Sequence, residues 1–247
     1  MSTQAPQRIA LVTGGSRGIG AAIARRLARD GFAVAINYAS SAAQADALAR
    51  DIQQAGGRAA AVRADVSRAE DVRAMFDQVE AELGPIDVLV NSAGILDVKP
   101  LAETSDELFD RTFAINTRGT FNTLREAAAR LADGGAIINV SSTTVALNLP
   151  GYSVYIASKA AVESLTQVFA RELRGRRITV NAVAPGPVAT ELFMKGKSAE
   201  LIEHYAKLPP LERLGQPDDI SGVVSFLASP DAGWVNGQVL RANGGIA

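Results

Sequence analysis

The sequence contains no cysteine, which excludes disulfides, thiol catalysis and thiolate-ligated zinc. It has a single histidine, His204, so a histidine metal centre and a Ser/His/Asp triad both lack parts, and that residue is expected at the surface. Charge of one sign is missing too. Lysine and arginine number 25 against 26 aspartates and glutamates, a balance that draws neither nucleic acid nor an anionic membrane. No long apolar run and no signal-like start are present, since Met1 to Arg8 is short and polar; the expectation is a cytoplasmic protein without a membrane span. Repeats, low-complexity tracts and linker-like stretches are also absent.

What remains suits one large α/β domain: 247 residues, 47% of them hydrophobic. Short β-rich runs alternate with longer helical ones throughout, the pattern of parallel βαβ units. Candidate strands are Arg8 to Thr13, Ala33 to Tyr38, Arg58 to Ala64, Val88 to Asn91, Ala136 to Ser141, Thr179 to Val183 and Val239 to Ala242. Between the first two, Ile19, Ile23 and Leu27 form one apolar stripe that Gly31 ends. Similar stripes fall near 41–55, 68–82, 105–130, 155–174 and 217–228. Asp218 and Asp219 after Pro217 suit the first turn of the last of these. The reading is a doubly wound parallel sheet of seven strands with helices on both faces. From Pro185 to Pro210 the rhythm breaks around an isolated cluster, Leu192, Phe193 and Met194. Such an excursion predicts a binding loop, a lid around 190–210.

The first strand runs into Thr13-Gly14-Gly15-Ser16-Arg17-Gly18-Ile19-Gly20 and then into a helix. Glycines allow a sharp turn close to a pyrophosphate, and the free N–H groups of a helix start favour the anion. An NAD site would place a carboxylate about 20 residues further on. Here the second strand ends Asn37-Tyr38-Ala39-Ser40-Ser41, with no acid between 31 and 45. Arg17 and the hydroxyls of Ser40 and Ser41 suit a 2'-phosphate instead, so NADP(H) is the expected cofactor.

Tyr155 and Lys159 stand four apart at the start of a predicted helix, which puts both side chains on one face. A free phenol ionises near pH 10, and a neighbouring ammonium favours phenolate. Lowered toward neutrality, Tyr155 can exchange a proton with a carbonyl or alcohol oxygen. Ser142 ends the strand from Ala136 at the carboxyl edge of the sheet, where open α/β folds bind ligands.

Taken in order, these segments resemble the short-chain dehydrogenase/reductase family over essentially the whole chain. The likeness includes Thr13 to Gly20, Asp65-Val66, Asn91-Ser92-Ala93-Gly94, Asn116, Ser142, Tyr155, Lys159, Pro185 to Thr190 and Asn243-Gly244-Gly245. It implies a single Rossmann-type domain spanning 1–247, with the flavour of 3-oxoacyl carrier-protein and polyhydroxynaphthalene reductases. By it, Tyr155 is the general acid/base, Lys159 lowers its pKa and binds the nicotinamide ribose, Ser142 orients the substrate oxygen, and Asn116 holds a water of the proton relay. Gly14, Gly18, Ile19 and Gly20 would cradle the pyrophosphate. Asp65 and Val66 would meet the adenine, Asn91, Ala93 and Gly94 the ribose and nicotinamide side, and Val188 and Thr190 the carboxamide; Ser16, Asn37, Tyr38, Pro185 and Gly186 are further candidate cofactor contacts. Ser92 and Asn243 depart from the family's usual Asn and Asp. A homotetramer through the helices at 105–130 and 155–174 and the terminal strand is implied as well.

The expected activity is hydride transfer between nicotinamide and a carbonyl or secondary alcohol, such as a ketone or 3-oxoacyl thioester. The competing reading is an idle NADPH-binding sensor or scaffold. Val145, Leu147, Leu149, Gly151, Tyr152, Val188, Leu192, Phe193 and Met194 are the candidate walls of an apolar substrate pocket. Arg130, Arg174, Arg176 and Arg177 invite comparison with an acyl-carrier-protein dock, although solvated helix ends explain them as well. Trp234 is expected to pack near the last strand.

Overall fold

The computed structural model describes residues 7–247. Seven strands form one sheet: β1 (Ile9–Thr13), β2 (Ala33–Tyr38), β3 (Ala59–Arg63), β4 (Val88–Asn91), β5 (Ala136–Val140), β6 (Thr179–Pro185) and β7 (Val239–Ala242). Their order is β3-β2-β1-β4-β5-β6-β7 and every pairing is parallel. This is a Rossmann-type doubly wound sheet, and its winding reverses between β1 and β4, where such sheets open a crevice at their carboxyl ends.

Buried strands read as apolar runs because helices cover both faces. Within β1 the side chains alternate: Ala10 and Val12 face one cluster, Ile9 and Leu11 the other. Helices α1 (Gly18–Arg29) and α2 (Ala42–Gln54) supply Ile23, Leu27, Leu48 and Ile52 to the first face, joined by Ile220 and Val224 from α10 (Pro217–Ala228). The second face is covered by α3 (Ala69–Glu82), α5 (Gly119–Arg130) and α7 (Ser153–Glu172), with Met75, Phe76 and Leu124 in the core. Each such fully buried side chain contributes roughly 1.5–3 kcal/mol. Among the described residues no helix is long and apolar enough to cross a membrane.

Local chemistry sets the element ends. Gly31 takes φ +95° and donates to Ala28 O, closing α1 as expected. Asp219 accepts from Gln216 N at 2.6 Å and pairs with Arg213, which fixes the start of α10.

Three sequence expectations need correction. The stripe at 105–130 is not one helix: α4 (Asp106–Phe113) passes through a π-turn, Ala114–Arg118, before α5. The 185–210 excursion, read as a binding loop, carries helices: β6 runs on to Pro185, and α8 (Glu191–Met194) and α9 (Ala199–Lys207) follow. Thr190 and Ser198 cap these two helices with their hydroxyls. Trp234 does not pack near β7; it is 99% exposed. His204 is at the surface as expected.

Candidate active site

The glycine turn after β1 is shaped for close approach. Gly14 has φ +61°, and a Cβ there would lie 2.7 Å from Ala93 Cα. A Cβ on Gly20 would lie 2.2 Å from Gly14 O. Arg17 occupies the N-cap of α1 without capping it, and the first turn carries no acid. The first N–H groups and the positive helix end therefore remain for an anion, and Ser16, Gly18 and Ile19 stand around them. The geometry fits a dinucleotide pyrophosphate.

Asn37 does not face that anion. It is 1% exposed, accepts from Gly14 N at 3.2 Å and donates to Val62 O and Ala64 O at 3.3 and 3.1 Å. Its amide is consumed in holding the turn against β2 and β3, so it positions the cradle. Tyr38 is half-buried at the end of β2, followed by exposed Ser40 and half-buried Ser41. Ser41 is the N-cap of α2 but makes no side-chain cap bond, and the first turn of α2 has no acid. Asp65 is locked into a tight turn by Ser67, whose N and Oγ donate to its Oδ1 at 2.9 and 2.7 Å. Next to it, Val66 packs on Gly119, where a Cβ would come within 2.6 Å of Val66 Cγ2.

Asn91 is also internal: its Nδ2 donates to Asn139 Oδ1 at 2.9 Å, and Thr123 Oγ1 donates to its Oδ1 at 2.7 Å. Ser92 N and Ala93 N donate to Thr13 Oγ1 at 3.1 and 3.2 Å, so a serine serves at position 92. Asn116 lies fully buried in the π-turn. Both amide hydrogens are used, on Ile95 O and Ser158 Oγ at 3.0 Å each, and Oδ1 accepts from Ile95 N at 2.9 Å. The side chain thus braces the 92–95 turn against α7. π-turns of this kind recur at functional sites.

Tyr155, Lys159 and Ser142 do converge. Tyr155 and Lys159 share one face of α7, with Lys159 Nζ 6.0 Å from the centre of the phenol ring. Lys159 is 6% exposed and donates to Val140 O at 2.8 Å. A Cβ on Gly94 would sit 3.3 Å from Asn116 Oδ1 and 3.5 Å from Lys159 Nζ, so these three residues meet at one point. Ser142 Oγ accepts from Thr144 Oγ1 at 2.8 Å. The electrostatics differ from the expectation of an ammonium-acidified phenol. Burial pushes the Tyr155 phenol up, and the hydrogen bond with Ser142 pulls it partly back. Burial also pushes Lys159 down to about 8. Desolvation is the largest cause at both groups.

On the lid side, Val188 is buried, and Pro185 ends β6 beneath it. At Gly186 a Cβ would meet Asn243 Cα at 2.9 Å. Asn243 donates to Thr143 Oγ1 at 3.2 Å while accepting from Gly245 N at 2.9 Å, a pairing in which Asp would lack the donor. Thr190 packs its methyl toward Gly18, where a Cβ would be 3.6 Å away. Tyr205 was not foreseen from the sequence. Its ring meets Phe193 edge-on at 5.4 Å, and its hydroxyl lies toward buried Tyr152, whose ring stands 6.4 Å from that of Tyr155. The signal was the stripe Leu201, Ile202, Tyr205 behind the capping Ser198.

Two of the four suspected docking arginines are occupied. Arg130 binds Asp77 and Glu80 at 2.7 Å each and lies over Phe76. Arg176 binds Asp133 at 2.8 Å and Ala128 O at 2.6 Å. They fasten helix ends. Among the described residues no group of acidic or histidine side chains could hold a metal ion.

A family model described as enoyl-(acyl carrier protein) reductase matches residues 14–247. A short-chain type dehydrogenase/reductase of Picea abies is 48% identical over 248 residues, covering 96% of this chain and 92% of that one. The chain belongs to the short-chain dehydrogenase/reductase family. Another member, an NADPH-dependent aldehyde reductase-like protein, chloroplastic, of Arabidopsis thaliana, is 47% identical over 253 residues, covering 96% of this chain and 93% of that protein. Among solved structures of the family fold, a blue fluorescent protein from a metagenomic library in complex with NADPH aligns with a TM-score of 0.92. It is 41% identical, over 97% of this chain and 98% of that one. This short-chain dehydrogenase/reductase is an oxidoreductase whose sheet, glycine turn and Tyr155/Lys159 helix all follow the family's order.

Proposed function

We propose that this chain is an NADP(H)-dependent reductase of aldehydes, ketones or 3-oxoacyl thioesters, with Tyr155 as general acid. The observation that carries the reading is the meeting of Tyr155, Ser142 and Lys159 at the carboxyl end of β5, across the crevice from an acid-free glycine turn. NADPH, when bound, supplies hydride to the carbonyl carbon. The turn from Gly14 to Gly20 holds its pyrophosphate, Arg17, Ser40 and Ser41 its 2'-phosphate, Asp65 and Val66 its adenine, and Val188 and Thr190 its carboxamide. The names of the Arabidopsis relative and of the NADPH complex support that choice.

The chain's own residues handle the proton. Ser142 donates to the substrate oxygen and orients it toward the Tyr155 hydroxyl. The Tyr155 phenol, protonated at neutral pH as any tyrosine is, gives its proton as negative charge grows on that oxygen. Buried Lys159 beside it stabilises the phenolate left behind and binds the nicotinamide ribose. The segment 190–210 closes over the substrate as a lid, with Phe193, Tyr152 and Tyr205 as its aromatic wall.

The protein acts as a homotetramer. A hollow of about 1040 Å³ between α4, α5 and α7 exposes Phe109, Phe121 and Val168, an apolar face that a second subunit would cover.

The test is a carbonyl panel followed by loss of NADPH absorbance, run beside Tyr155→Phe. Turnover with at least one carbonyl is expected, falling 100-fold or more in the variant while NADPH binding stays intact. Binding of NADPH with no carbonyl ever reduced by the parent protein would instead favour an idle sensor.

A further inference from the structure

Three successive residues at and just past the end of β5 face residues of α7. Val140 O accepts from Lys159 Nζ at 2.8 Å, Ser141 Oγ donates to Glu163 Oε1 at 2.7 Å, and Ser142 lies beside Tyr155. On the helix the partners are residues 155, 159 and 163, one turn apart, so they form a single stripe. The outer two links of the strand carry the proton-handling pair. The middle one, Ser141 to Glu163, has had no role so far.

Ser141 is 2% exposed, and its backbone is fixed in the sheet by a bond from its N to Val183 O at 2.7 Å. Its hydroxyl therefore needs an internal partner. An ordinary helix–sheet contact would use an apolar residue at 163. Glu163 is half-buried, and its carboxylate gives the hydroxyl a short, charge-assisted bond, about twice as strong as a neutral one. That bond is also directional. It resists sliding of α7 along its own axis next to the proton-handling pair, while the Asn139–Thr166 bond holds the helix further along β5.

We propose that Glu163 is a positioning residue: through Ser141 it fixes the axial register of α7 against the end of β5, and with it the placement of Tyr155 beside Ser142. This rests on the proton-transfer reading of Tyr155 given above. A misplacement of about 1 Å costs on the order of 100-fold in rate, so a partial loss of register is expected to cost about tenfold.

The experiment compares Glu163→Ala, Glu163→Gln, Ser141→Ala and the double variant Ser141→Ala/Glu163→Ala, with NADPH and a turned-over carbonyl. Glu163→Ala is expected to lower kcat about tenfold with KM for NADPH within about twofold. Gln keeps an oxygen acceptor, so Glu163→Gln should recover most of kcat. Ser141→Ala should match Glu163→Ala, and the double variant should lose no more than either single one. The proposal is overturned if the Ala variants keep kcat and lose only thermal stability, if Gln fails to rescue, or if the two single losses multiply. Should Glu163→Ala not fold, Ser141→Ala against the parent decides by the same kcat criterion. Tyr155→Phe runs alongside. Retained turnover there sinks the proton-transfer reading itself, whereas a dead Tyr155→Phe with an unaffected Glu163→Ala sinks only this inference.

Discussion

The guanidinium of Arg17, in the glycine turn, stands 3.6 Å from the carboxylate of Glu191 at the head of α8. Both side chains are more than half exposed, so the pair itself adds little stability. Its importance is location, because the only charged side chain in the glycine turn spans from that turn to the lid. If Arg17 also meets a 2'-phosphate, Arg17→Ala should cut kcat/KM for NADPH about 30-fold, the value of one charge-assisted contact, and leave kcat/KM for NADH nearly unchanged. Equal losses with both cofactors would show that Arg17 does not read the phosphate.

Lys159 gives a pH signature in stability. Its value is about 8 in the folded chain against the ordinary 10.5. A lowered folded value means the unfolded chain holds the extra proton between those two points, so stability rises with pH across that window. Relative to Lys159→Met, the parent protein should gain up to about 3 kcal/mol between pH 7 and pH 10.5. Denaturant unfolding at a series of pH values measures it, and a pH-independent gap between the two proteins would contradict it. Tyr155 works in the opposite sense. Its raised value gives stability that is full below its ordinary range near 10 and lost as pH climbs through the folded value.

Gly20→Ala should be among the most damaging single changes, because the new methyl would sit 2.2 Å from the carbonyl oxygen of Gly14, which is backbone and cannot yield cheaply. A loss of about 3 kcal/mol or more in stability and roughly 100-fold weaker NADPH binding are expected, by overpacking and distortion of the cradle. Gly31→Ala is the control. It has open space around it but φ +95°, so it should cost only about 1 kcal/mol through backbone strain. Thermal unfolding with cofactor titration separates the two.

Asn37→Asp tests whether that residue supports the turn or touches the cofactor. The carboxylate would lose the donors to Val62 O and Ala64 O and face those carbonyls with like charge. A loss of about 3 kcal/mol in unfolding free energy is expected from the buried mismatch. An unchanged Tm with altered cofactor preference would reassign Asn37 to the binding surface.

The sheet was legible because fully buried parallel strands are written as short apolar runs, and β2, β4 and β7 fall on their expected bounds. The proton-handling group was legible because Tyr155 and Lys159 are joined by one helical turn, a relation that sequence spacing states directly. Asn37 and Asn91 show where that reading fails. Both sit at strand ends near the glycine turn, and only three-dimensional packing reveals that Gly14 N, Val62 O, Asn139 and Thr123 consume their amides. The π-turn at Asn116 was invisible for a related reason, since one extra residue in a turn leaves the apolar stripe nearly unbroken. Spacing shows the cation beside Tyr155 but not the burial that acts on both groups.

Trp234 is the chain's only indole and stands 99% exposed. An optical experiment on this protein therefore watches its outer skin. Emission from the parent chain should be red-shifted and open to aqueous quenchers, and a blue shift on concentrating the protein would mark burial of that corner between subunits.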